Sequence, residues 1–249
     1  MTREQKLQKE ICKLSVDQKI ARAQELSSRV LDHARLVMHF NASNRELLSD
    51  QIARQVPNSY AAHTFNLLCH TQHHFGLIRL TALWDNPSEQ RESIPTLLKY
   101  VRDESVQQEL ERRYAAQWGQ VAGCEDIELR ALIENSEVSF GRSEAAKCRR
   151  ILCLAIRAAD RFKESQQLSK LFKFRDAHVA HNLNSGAPVT PESRPRSGDV
   201  EFALERTIRI IDGLNRGIRG AGFDWAGAKR IAGRNAKAFW GGVSVRVLE

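Results

Sequence analysis

The stretch LSKLFKFRDAHVAHN, residues 168–182, has apolar residues at helical spacing in its first half and polar groups in its second. Leu168, Leu171 and Phe172 recur with the period of an α-helix. The helix leads into Arg175-Asp176-Ala177-His178-Val179-Ala180-His181, where a cation, a carboxylate and two imidazoles are close in sequence. The spacing therefore predicts that a helix presents these polar groups.

The rest of the chain shows the same helical period, and no segment alternates with period two for long enough to form a sheet. These patterns predict an all-α helical bundle. The first predicted helix is long, is interrupted at 41–44 and has an apolar stripe formed by Val16, Ile20, Ala23, Val30, Ala34 and Val37. A second helix ends near Trp84, and a short third helix is capped by Ser93 and has Pro95 in its first turn. Further helices are predicted over about 104–118, over about 125–141, from about 143 and over 200–218.

Composition divides the chain into four regions. Residues 1–182 are predicted to form the bundle, and residues 183–199, which hold three of the six prolines, an exposed linker. Residues 200–218 are then expected to form a C-terminal helix that docks on the bundle, and residues 219–249 a Gly-rich basic tail with aromatic residues.

The chain is basic and has the cysteine usage of a reducing compartment. Its formal net charge of +8 favours a polyanionic partner such as nucleic acid. Five cysteines form no C-x-x-C pair, which is typical of reduced thiols. No secretory signal is evident, and the longest apolar run, over 151–156, is too short to cross a bilayer. We therefore expect a cytoplasmic protein without a membrane partner.

Two blocks of sequence resemble one known family. RDAHVAH, residues 175–181, is similar to the R-[ND]-x-x-x-A-H form of the motif that defines the HEPN superfamily. IRLTALWD, residues 78–85, and SIPTLL, residues 93–98, resemble a helix end and the following helix in the abortive-infection U-type branch of that superfamily. The blocks occur in the expected order and cover residues from about 60 to 185.

This resemblance implies a HEPN-type bundle that pairs as a homodimer, with arginines and histidines of both chains facing one cleft. It implies metal-independent endoribonuclease activity, or RNA binding without cleavage, in a toxin–antitoxin or phage-defence setting. RNA and an antitoxin or regulatory protein are then the expected partners. The resemblance makes Arg175 and His181 the catalytic pair and Asp176 the polar residue beside the arginine. Ala177 stands where the family often has lysine, so one cationic contact is missing.

The residue types also suit RNA cleavage without a metal. Histidine, with an ordinary pKa of about 6.5, takes and gives protons near neutral pH. Arginine grips two phosphate oxygens and stabilises the charge of the transition state. Asp176 is suited to orienting a ring nitrogen or to holding the arginine. We expect His178, Asn182 and Arg79 to bind the substrate, and we expect no cofactor.

Helix geometry leaves the assembly of this site open. Residues six apart on a straight helix differ by about 600° of rotation, so Arg175 and His181 do not share a face. Either the helix ends near Ala180 and His181 turns back, or the site is assembled across a dimer.

Other functions are compatible with the same residues. A non-catalytic HEPN module would bind RNA, a nucleotide or a protein partner, and a surface ion pair would explain Arg175 and Asp176 without any function. A second histidine cluster offers a metal site inside a bundle, although no Glu-x-x-His pair accompanies it. Its members are His63, Cys69, His70, His73 and His74, together with His178 and His181.

The tail has two interpretations. Its cations and aromatic residues suit phosphate contacts and base stacking, or else a short helix docks its apolar residues on the bundle. Seven of the fourteen glycines lie within 217–242 and weaken any helix there. The residues concerned are Arg216, Arg219, Phe223, Trp225, Lys229, Arg230, Arg234, Lys237, Phe239, Trp240 and Arg246.

Overall fold

The computed structural model describes residues 2–56, 60–117, 127–178 and 195–245, without the side chains of residues 117, 127, 129–130, 132–138, 178 and 197. All regular elements in these ranges are α-helices, which confirms the predicted all-α fold. None of the described helices has the length and apolar character that a membrane crossing requires. The helices are α1 (Arg3–Lys13), α2 (Val16–Leu47), α3 (Asp50–Ala53), α4 (Tyr60–Ala82), α5 (Ile94–Val101), α6 (Glu104–Gln117), α7 (Ile127–Lys163), α8 (Gln166–His178), α9 (Ser197–Arg219) and α10 (Trp225–Gly241).

Side-chain caps fix the starts of several helices. The Ser93 hydroxyl accepts a hydrogen bond from the backbone N–H of Thr96 at 3.3 Å, and Pro95 lies in the first turn of α5. A proline costs nothing there because N–H groups of the first turn have no intrahelical acceptor. The predicted cap and proline position are confirmed.

Two predicted helix boundaries are wrong. α2 continues through residues 41–44 to Leu47, and α7 continues through residues 141–143 to Lys163. Ala42, Leu47 and Ala145 are buried, so the apolar face persists on both sides of each predicted break. Burial of a continuous face outweighs the weak helix propensity of asparagine and glycine.

The chain divides into two compact units, each built from three separate segments. The first comprises Met1–Leu31, Asp85–Arg161 and Arg209–Phe223. In this unit α1 packs on α5 and α5 on α6. A buried hydrogen bond from the Ser27 hydroxyl to Asn215 Oδ1, 3.1 Å long, joins α2 to α9, and Lys19 pairs with Asp103 at 2.7 Å.

Helices α7 and α9 approach each other very closely in the first unit. A Cβ atom at Gly217 would lie 2.5 Å from Cβ of Leu152, and one at Gly213 would lie 2.8 Å from Cβ of Ala155. Both distances are shorter than any ordinary carbon contact. Glycine at these two positions, one helical turn apart, therefore permits the packing of α9 on α7.

The second unit comprises Asp32–Trp84, Phe162–Ile208 and Asp224–Glu249. Trp84 is 1% exposed, donates its indole N–H to the Thr207 hydroxyl at 2.9 Å, and meets the Phe162 ring edge-on with the centroids 5.1 Å apart. Satisfying the indole donor allows so large a side chain to be buried. In the same unit α4 packs against α8.

The described part of the tail contains a helix. Asp224 caps α10 by accepting a hydrogen bond from the Gly227 N–H at 2.8 Å, and Trp225, Ala232 and Ala236 are buried. The indole N–H of Trp240 donates to the Ser43 hydroxyl at 2.9 Å. The structure thus has the docking helix rather than an irregular tail over these residues.

Candidate functional site

Helix α8 carries the polar segment because its apolar residues bury one face. It begins after Ser165, whose hydroxyl accepts a hydrogen bond from the Leu168 N–H at 3.2 Å. Leu168, Leu171 and Phe174, three residues apart in turn, are all buried. This spacing directs Arg175, the next residue, to the edge of the buried face.

The guanidinium of Arg175 is held from two sides. Its Nε and Nη2 atoms both lie 2.8 Å from Oδ1 of Asp176. Its central carbon lies 4.5 Å from the centroid of the Phe172 ring, a cation–π contact. The Arg175 side chain is only 17% exposed, whereas that of Asp176 is 53% exposed. The arginine is therefore a positioned cation at the edge of a packed helix rather than a fully solvated one.

Helix α4 supplies the neighbouring surface. The His74 and Phe174 rings are 5.8 Å apart and tilted, where α4 packs on α8. Arg79, predicted to bind the substrate, is half-buried in the last turn of α4. The helices that carry Arg175 and Arg79 are thus in direct contact.

The predicted site residues are described to different extents. The structure brings Arg175 and Asp176 together and places Arg79 on the adjoining helix. His178 is the last residue of α8 as described, and its side chain lies outside the described residues. His181, predicted to be catalytic, and Asn182, predicted to bind the substrate, also lie outside the described residues. Whether His181 turns back within one chain or meets a second chain stays a prediction.

The alternative histidine cluster lies along α4. The His70 and His74 ring centroids are 6.1 Å apart, and those of His73 and His74 are 6.2 Å apart. Within the described ranges, no three His, Cys, Asp or Glu side chains are arranged to hold a metal ion. Burial, and secondarily the charge on His70, lower the pKa of His73 below its ordinary value.

From the sequence, no functional role was assigned to two aromatic residues of this region, Phe172 and Phe174. Phe172 lies three residues before Arg175, a helical spacing that places both side chains on one face, so the cation–π contact had a detectable signal. Phe174 had none, because its contact with His74 depends on how α4 packs against α8.

Comparison with known proteins agrees with this helical architecture. The family model HEPN_AbiU2, described as AbiU2, matches residues 20–239, which is most of the chain. No curated protein and no solved structure matches this chain.

Proposed function

Because the chain belongs to the AbiU2 family of HEPN domains, we propose that it is a metal-independent endoribonuclease with Arg175 and His181 as its catalytic pair. The observation that carries the proposal is the fixed guanidinium of Arg175, bonded to Asp176 and packed on Phe172 at the edge of α8. A cation held in place before substrate binds costs little reorganisation when charge develops on the phosphate.

In this mechanism His181 takes the proton from the ribose 2′-hydroxyl. The 2′-oxygen attacks phosphorus, the bond to the 5′-oxygen breaks, and a protonated imidazole returns a proton to that leaving oxygen. The products are a 2′,3′-cyclic phosphate and a 5′-hydroxyl. Arg175 stabilises the phosphorane, and Asp176 keeps the guanidinium oriented. His178, Asn182 and Arg79 are assigned to substrate binding, and a metal has no required role.

The first prediction concerns cleavage of single-stranded RNA in the presence of EDTA. His181→Ala should lower turnover by ~10²–10⁴-fold, as expected for a proton-transfer group. Arg175→Ala should lower it by ~10²–10³-fold, as expected for one charge-stabilising donor. The measurement is initial cleavage rate together with identification of the 3′ end.

Arg206→Ala is the matched control, because Arg206 also lies over an aromatic ring, that of Phe202 at 5.2 Å, but on α9. It should leave turnover unchanged. Cleavage abolished by EDTA and restored by a divalent metal would overturn the mechanism and favour the α4 histidines.

The second candidate is a non-catalytic module that binds RNA, a nucleotide or a protein partner. Ala177 favours it, because the cation often found at this position is absent. RNA binding that persists with no cleavage under any condition would select this candidate.

A cellular role follows from the same proposal. We place the protein in the cytoplasm as a toxin or phage-defence effector that an antitoxin or regulatory protein controls. Expression should then arrest growth, and His181→Ala should relieve the arrest. Growth that is equally slow with both proteins would contradict the toxin assignment.

A further inference from the structure

The second unit contains a cavity that the proposed mechanism does not use. It lies between α2, α4 and the first turns of α9 and has a volume of about 250 Å³. Polar and aliphatic side chains share its wall. They are Asn41, Asn44, Arg45 and His73 on the polar side and Val37, Leu48 and Val200 on the aliphatic side, with Gly76 and Glu201 completing the lining.

One polar atom of the wall lacks a partner. The Asn44 carboxamide oxygen is inaccessible to solvent, and none of the described residues donates a hydrogen bond to it. The amide nitrogen of the same side chain is engaged, donating to the Gln72 carbonyl at 3.4 Å. A buried acceptor without a donor destabilises the fold, because no hydrogen bond compensates for its loss of contact with water. A ligand that supplies an N–H group would remove this destabilisation.

The charges of the wall cancel. Nη1 of Arg45 lies 4.0 Å from Oε1 of Glu201, and both side chains are more than half exposed. Burial lowers the pKa of His73, so its imidazole is neutral at neutral pH. A wall of this kind favours a neutral polar group over a phosphate or a free cation. The long side chain of Arg45 can still reach an anionic group that lies outside the cavity.

The size and shape of the cavity select a small ligand. Pockets for drug-sized ligands typically measure about 300–1,000 Å³, so this cavity suits a single ring system rather than a dinucleotide. Its aliphatic residues offer apolar contact to the faces of such a ring. Gly76 contributes no side chain, which keeps the space beside Asn44 open.

We propose that this cavity binds adenine or cytosine and that, as the base enters, the half-buried Asn44 side chain turns so that its carboxamide oxygen accepts a hydrogen bond from the exocyclic amino group. On their Watson–Crick edges adenine and cytosine place this amino donor beside a ring-nitrogen acceptor, whereas guanine places its amino group beside a ring N–H donor and uracil has no amino group. Asparagine, with one acceptor and one donor group, is a usual partner of adenine. Unstacked bases of single-stranded RNA are commonly recognised by such contacts along their edges.

The base comes either from an RNA strand or from a free nucleotide. The RNA source rests on the proposed function, because the cavity would then select which base enters near the cleavage site. The free-nucleotide source is independent of cleavage. Both sources require the same contact with Asn44, so one set of variants tests them.

The decisive variant is Gly76→Ala. The new Cβ would lie 3.8 Å from Nδ2 of Asn44, an ordinary van der Waals distance, with no other neighbour within 4 Å. The methyl group should therefore enter the cavity without straining the fold, and alanine also favours the helix. Gly233→Ala is the matched control, since it makes the same change in α10 with no neighbour within 4 Å. Asn44→Leu removes the unpaired oxygen itself.

The experiment is calorimetric titration of AMP, CMP, GMP and UMP, and of A6 and C6 oligonucleotides, into His181→Ala protein with and without these changes. We expect AMP or CMP to bind at least about tenfold more tightly than GMP and UMP, and Gly76→Ala and Asn44→Leu to weaken that binding at least about tenfold. Gly233→Ala should bind normally. Thermal midpoints verify folding.

The outcomes separate the two sources and the two proposals. Binding of oligonucleotides alone, still sensitive to Gly76→Ala, identifies a base of RNA, and equal binding of mononucleotides identifies a free nucleotide. Equal affinity for all four bases, no binding, or binding indifferent to Gly76→Ala overturns the inference. Intact base binding without any RNA cleavage would instead remove only the proposed ribonuclease function.

Discussion

His73 shows how one buried side chain links stability to pH. Burial and the neighbouring charge on His70 lower its pKa in the folded protein below 6.5, its ordinary value. The unfolded chain therefore binds this proton more readily, and folding stability rises with pH between the two pKa values. His73 contributes stability that is complete above about pH 6.5 and is lost as the pH falls through its folded pKa.

We predict that the free energy of unfolding falls between pH 7.5 and 5.5 and that His73→Gln reduces this fall. Urea denaturation at both pH values measures it. His63→Gln is the control, because His63 is exposed on the same helix. An equal pH dependence in the His73→Gln and unsubstituted proteins would refute the assignment.

The sequence predicts single residues of the site better than their arrangement. Arg175 and Asp176 are adjacent in the chain, so a contact between them needs only local geometry, and the structure has it. The contact of His74 with Phe174 depends on helix packing, which no local pattern encodes. The polar cavity escaped prediction for the same reason, because three distant helices form its wall.

At the scale of elements, α10 combines a docked face with a cationic one. Arg230, Arg234 and Lys237 follow the spacing of one helical stripe, are exposed, and make no hydrogen bond or ion pair with the described residues. The helix itself contains no acidic residue. Because Trp225 and Ala232 are buried, truncating the tail would remove these packing contacts and destabilise the fold. The loss of stability would then obscure any effect of the truncation on RNA binding.

Replacing the three cations of this stripe tests their role in RNA binding more directly than truncation of the tail. Changing Arg230, Arg234 and Lys237 to Gln should weaken RNA binding and lower the slope of log affinity against log salt by roughly 0.7 for each phosphate that the variant no longer neutralises. Lys13, Arg22 and Arg112, already paired with acidic neighbours, form the control triple. An unchanged slope with an unchanged thermal midpoint would leave α10 with a docking role only.

The glycines of the C-terminal region explain why composition misjudged this element. Gly227 of α10 lies so close to its cap that a Cβ atom would fall 2.1 Å from Oδ2 of Asp224. Gly217 of α9 has the same role against Leu152. These glycines meet a requirement for close approach, so their count does not measure helix weakness.

At the scale of the whole molecule, we expect self-association through α4. Tyr60, Leu67, Leu68 and Phe75 are exposed apolar residues of this helix, and Leu67 is 61% exposed. Exposed apolar residues concentrated on one element are typical of protein interfaces. The helix also packs against α8, which carries Arg175, so pairing along it would bring two candidate sites near each other.

The expected result is that Leu67→Arg combined with Leu68→Arg halves the mass measured by light scattering and lowers RNA cleavage. Leu154→Arg, at a residue 50% exposed on α7, should leave the mass unchanged. A monomeric parent protein, or a double variant that keeps the parent's mass, would rule out pairing through α4.

The division of each unit into three separate segments constrains how the protein is made. The first unit includes residues up to Phe223 and the second includes residues from Asp224 onward, so neither is complete before Phe223 has left the ribosome. Contacts between segments so distant in sequence form slowly. A ribosome that stops before Phe223 would therefore release a fragment in which neither unit is complete. For a protein proposed to cleave RNA, synthesis itself would then postpone activity until all three segments of each unit have been made.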